Sequence, residues 1–133
     1  MGGQGYTQRF FTNIDFKKEE LVDSTSASTS STSYVLVGNC TITPTEQGDY
    51  VVMFTTEVLV QIANNQVSFA IFVNGVEQIG SVKTVKIITA NALQEVTLIK
   101  KVSWTTGAIE VRFKLLSGSM NVTSTNRVLI IMK

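Results

Sequence analysis

Between Asp49 and Ile62 the bulky apolar side chains keep to alternate positions: Tyr50, Val52, Phe54, Val58, Val60 and Ile62 fall on one face of an extended chain. Successive residues of a strand point to opposite sides, so such a run buries one face and leaves the other open. The same period returns at Val67, Phe69, Ile71 and Val73. It returns again at Ile109, Val111, Phe113 and Leu115, which alternate with Glu110, Arg112 and Lys114. After residue 34 no ten-residue window carries a helical repeat, and β-branched residues dominate. Turn signals punctuate the strands: Pro44 with Glu46-Gln47-Gly48, then Asn64-Asn65, Asn74-Gly75, Gly80-Ser81, Thr106-Gly107 and Ser117-Gly118-Ser119. About eight strands are expected, the last running from Val128 to Met132, in an all-β sandwich, barrel or jelly roll.

The N-terminal quarter reads differently. Residues 1–22 are Gly-rich, then aromatic, then charged, with no sustained period. Nine of the eleven residues from Asp23 to Ser33 are Ser or Thr, the composition of a polar linker or of an extended run along a surface. The expected division is an arm and linker over 1–33 and a β domain over 34–133. Phe10, Phe11, Ile14 and Phe16 carry apolar bulk with no local core to join. They suit either a leader or an extra edge strand, or an arm that docks on a partner through those four side chains.

Absences narrow the chemistry. With no histidine in 133 residues, the commonest general base and most zinc sites are missing. Asp49, Glu57, Glu77, Glu95 and Glu110 lie on separate strands or turns, so no local spacing pairs two carboxylates. No phosphate-binding loop, calcium loop or paired-cysteine motif occurs. No enzyme activity, cofactor or metal is expected. Basic residues are adjacent only at Lys17-Lys18 and Lys100-Lys101, and the net charge is +1, which argues against nucleic acid as a partner. No apolar run is long enough for a membrane helix, and no signal peptide is expected. The sequons at Asn39-Cys40-Thr41 and Asn121-Val122-Thr123 read as chance. The lone Cys40 reads as a buried core thiol. Trp104, at a strand end, is either a core plug or a stacking platform for a glycan, and Tyr34 could serve the same way.

The apolar fraction is 44% and the charged fraction 16%, against a typical charged fraction of about 25%. So few charges leave a small β domain with apolar surface to hide, and an oligomer hides it.

Four segments carry a family resemblance. Gly48–Val58 resembles the start of a central strand in tumour-necrosis-factor-like jelly rolls. Val67–Gly75 resembles the strand and hairpin that follow in phage and bacterial members, Gly107–Phe113 the turn and strand near their three-fold axis, and Arg127–Met132 their terminal strand. The resemblance covers about residues 30–133 and implies a homotrimer. It would place the strands starting at Tyr50, Ile109 and Val128 in one sheet facing the trimer axis. Tyr50, Val52, Phe54, Ile109, Val111 and Phe113 would point into the sandwich. Met53, Glu57, Leu59, Arg112, Leu129 and Ile131 would point at neighbouring subunits, with Met53, Leu59 and Ile131 sealing the contact and Glu57 facing Arg112 across it.

Phage members of this shape resemble capsid decoration (cement) proteins, head fibres and tail-fibre tips. The expectation is therefore a virion protein, made in the host cytoplasm, that docks on the major capsid protein through its N-terminal arm. A tail-fibre tip that binds a receptor or cell-surface glycan is the alternative.

Overall fold

The computed structural model describes residues 18–117 and 121–133. They form only strands and connections: β1 (Lys18–Asp23), β2 (Ala27–Thr29), β3 (Val35–Ile42), β4 (Gly48–Val60), β5 (Asn65–Val73), β6 (Val76–Glu77), β7 (Lys83–Ile87), β8 (Gln94–Trp104), β9 (Ile109–Ser117) and β10 (Val122–Met132). Two antiparallel sheets result. The first has the order β1-β10-β4-β8, with β2 also on β10; the second has the order β3-β9-β5-β6, with β7 also on β5. Chain-distant strands are neighbours in both, so the chain crosses repeatedly between layers, as in a jelly roll.

The expected inward set lies inside: Tyr50, Val52, Phe54, Ile109, Val111 and Phe113 are all buried. Phe54 of the first sheet and Phe69 of the second have ring centroids 6.1 Å apart, and Phe69 and Phe113 5.7 Å apart. This aromatic row joins the two layers. Thr56 interrupts the apolar alternation of β4 without cost to burial, because its Oγ1 meets Ser124 Oγ at 2.6 Å and donates to the Thr125 carbonyl at 3.0 Å. The Asn74-Gly75 turn forms as read, with φ of 52° and 78°, the left-handed pair that a two-residue hairpin needs. Ile62 departs from the expected face: β4 stops at Val60, and Ile62 is exposed in the following turn.

Three further expectations need correction. The strand beginning at Ile109 lies in the second sheet, opposite the layer that holds β4 and β10. Leu129 and Ile131 are 0% and 1% exposed and belong to the core, so they cannot point at neighbouring subunits. A bulge between Thr125 and Val128, with Asn126 at φ 51°, sets the parity of β10. The segment assigned to linker is also part of the sandwich. Residues 18–23 pair with β10 from Met132 to Arg127, and Ala27–Thr29 continue along the same edge from Ser124 to Val122.

Cys40 is fully buried, and burial pushes its thiol up to about 11. A neutral, inaccessible thiol is inert. In Ellman's assay the native protein is expected to show no fast-reacting thiol, with one appearing on addition of denaturant; fast native labelling would contradict this packing.

Candidate subunit interface

The inner faces of the two sheets fill the core, which leaves the outer face of the first sheet to be explained. Register aligns its outward side chains in rows across four strands. One row runs Glu20, Ile130, Met53, Ile99; the next runs Val22, Val128, Thr55, Thr97; a third runs Lys18, Met132, Val51, Lys101. Ile99 is 62% exposed and Val22 69%, while Met53, Val128, Ile130 and Met132 are half-buried. A shallow apolar dimple lies between Met53, Thr55, Thr97, Val128 and Ile130. Toward the other end Glu57 sits between Thr125 and Glu95, and Leu59 opposite Thr123. Glu57 is held by Asn126, whose side-chain amide donates to its Oε1 at 2.6 Å. An apolar centre with charges at its rim has the anatomy of a protein–protein contact.

The structure thus splits the residues expected at the interface. Met53, Glu57 and Leu59 share this outer face. Leu129 and Ile131 point the other way, and their neighbours Val128, Ile130 and Met132 take the outward positions. Arg112 belongs to the outer face of the second sheet, where its Nε and Nη2 donate to Glu110 Oε1 at 3.0 and 2.7 Å and its guanidinium lies 4.3 Å from the Phe72 ring centre. Glu57 and Arg112 lie on opposite sides of the sandwich and share no common face. Ile99, Ile130 and Val51 do not stand out in the sequence, because a single apolar residue on the outward face of a strand is ordinary. Only the cross-strand register brings them together.

Trp104 is 7% exposed, packs edge-on to Tyr50 at 6.5 Å, and donates its indole N–H to the Gly107 carbonyl at 2.8 Å. It is a core plug with its polar handle satisfied, and it offers no face for a sugar. Tyr34 is half-buried: its ring meets Phe72 edge-on at 5.3 Å, and the Lys114 ammonium sits 4.3 Å over it. Burial pushes the Tyr34 phenol above its ordinary range. Phe10, Phe11, Ile14 and Phe16 lie outside the described residues. Among the described residues no three His, Cys, Asp or Glu side chains converge on a point where a metal could sit.

The sequence matches no protein-family model and no curated protein. Its fold is nevertheless shared. The infectious bursal disease virus Gx strain structure matches 89% of this chain with a TM-score of 0.61 at 9% identity. The VP2 subviral particle of that virus matches the same share at 0.59 and 9% identity. This chain spans only 32% of each of those viral chains. Murine APRIL, a member of the tumour-necrosis-factor family, matches 84% of this chain and 99% of its own length, with a TM-score of 0.51 at 11% identity. At such identities the likeness concerns fold alone. The chain is an antiparallel β-sandwich of the type seen in viral capsid jelly rolls and in the tumour-necrosis-factor family.

Proposed function

We propose that this chain is a virion structural protein, a homotrimer assembled through the outer face of the β1-β10-β4-β8 sheet, that decorates a phage capsid or projects from it as a head fibre. The observation that carries this reading is the apolar field of Ile130, Met53, Ile99, Val128, Val51 and Met132 on a sheet whose other side already packs the core. Two further copies of the chain are the proposed cover, as the tumour-necrosis-factor-like resemblance implies. The fold's likeness to viral capsid proteins supports the virion setting, and residues 1–17 are the proposed docking arm onto the major capsid protein. A glycan-binding tip is disfavoured because Trp104, its strongest candidate platform, is buried and hydrogen-bonded.

Native mass measurement of the full chain is expected to give three times the 14.5 kDa chain mass. A monomer at high concentration would overturn the assembly. Removing residues 1–17 is expected to leave folded trimers that no longer sediment with capsids lacking the protein. If the truncated trimers still bind, the arm assignment fails.

A further inference from the structure

Arg127 is the one charged residue with no exposed surface among the described residues. The β10 bulge turns it inward, and Gly38 makes room for it. Gly38 has φ +50°, and a Cβ there would stand 2.5 Å from Arg127 Nη2. Two of the guanidinium's three hydrogen-bond partners come from the N-terminal segment. Nη2 donates to Asp23 Oδ2 at 2.9 Å and to Thr25 Oγ1 at 3.3 Å; Nη1 donates to the Ser124 carbonyl at 2.6 Å, and Nε has no hydrogen-bond partner. Asp23 is gathered further, accepting from the Thr25 N–H at 2.9 Å, the Thr25 hydroxyl at 2.7 Å and the Asn39 amide at 3.1 Å. The Thr25 donors and Arg127 hold the Asp23 carboxyl well below the usual carboxylate range. The rest of that segment is shallow, since no residue from 18 to 29 is fully buried. Its attachment is a backbone ladder to one edge of β10, the partly buried Leu21 against the core, hydrogen bonds of Ser28 with Thr123 and of the Thr125 hydroxyl with the Ser24 carbonyl, and this one ion pair.

We propose that residues 18–29 form a strap that docks on and leaves β10 as a unit, with the Asp23–Arg127 pair as its latch. The physical ground is the contrast between the two sides of β10. Toward β4 it is held by paired strands whose inward side chains fill the core; toward the strap it is held by ladder bonds, one partly buried apolar side chain, Leu21, two surface hydrogen bonds and one ion pair. A segment with little buried apolar area opens by its own route, below the cost of global unfolding. The latch spans the break between β1 and β2, so losing it frees both pieces together.

Hydrogen exchange of the full chain, read by mass spectrometry, tests this. In the wild-type protein the amides of residues 18–29 are expected to exchange faster than those of β4, β5 and β9. Arg127→Met removes the cation while keeping an unbranched stem. It is expected to speed exchange in 18–29 by roughly tenfold or more, with β4, β5 and β9 protected as in the wild type. Asp23→Asn strands the buried cation and is expected to act in the same direction; should it fail to fold, Arg127→Met still decides. The latch is overturned if Arg127→Met leaves residues 18–29 at wild-type protection, or if they lose protection only together with the core strands.

Discussion

The double variant Met53→Asp, Ile130→Asp is expected to remain folded and to run as a monomer where the wild-type protein runs as a trimer. The two residues face each other on adjacent strands in the middle of the outer face, and neither contributes to the interior. A carboxylate there meets water in the free subunit and costs the sandwich little. In an assembled interface the same carboxylate must be desolvated with no partner, or the contact must open. A central contact residue is commonly worth on the order of 2–4 kcal/mol, so the pair should weaken association by roughly a thousandfold or more. Light scattering with circular dichroism separates the outcomes. A folded monomer is the expected result, whereas a variant that stays trimeric would remove this face from the interface. The corresponding change at Ile131 tests something else, because that side chain is in the core and its replacement would attack folding.

Phe69→Ala should carry the largest cost in stability. Phe69 is 0% exposed and lies between Phe54 and Phe113, so one ring touches partners from both layers. Truncation removes the contacts that join the sheets and leaves a cavity that neighbouring strands, fixed by their ladders, cannot close. Core phenylalanine truncations typically cost about 3–5 kcal/mol, against a total stability of about 5–15 kcal/mol for a domain. The melting temperature should fall by roughly 10–20 °C. Chemical denaturation should show a lower midpoint at unchanged slope, the mark of lost stability without a change in surface exposed. A loss below about 1 kcal/mol would mean that the aromatic row does not join the layers.

Much of this architecture is legible in the sequence because of one physical rule. Strands with one polar face reveal their orientation by alternation, so β4 and β9 can be placed residue by residue, and the Asn74-Gly75 turn announces its own geometry. Two features hide from that rule. In β10 the run from Val128 to Met132 is apolar at every position, so its parity depends on the bulge before it, and the inward and outward sets come out exchanged. The Ser/Thr-rich N-terminal segment has too little apolar content to read as a strand. It is nonetheless held against β10 by an edge ladder, by Leu21 against the core and by Asp23 and Thr25 on a buried arginine.

Local chemistry determined that this chain is all-β, where most of its turns fall, and which side of β4, β5 and β9 faces the interior, since those follow from the two-residue period and from turn residues acting over a few positions. The tertiary structure alone decided which strands share a sheet, which side of β10 is open, and that Arg127 lies inside with Asp23 as its counter-ion. Those outcomes depend on pairings between residues far apart in the chain, such as Lys18 with Met132 and Asp23 with Arg127. No periodicity within a strand encodes its neighbour.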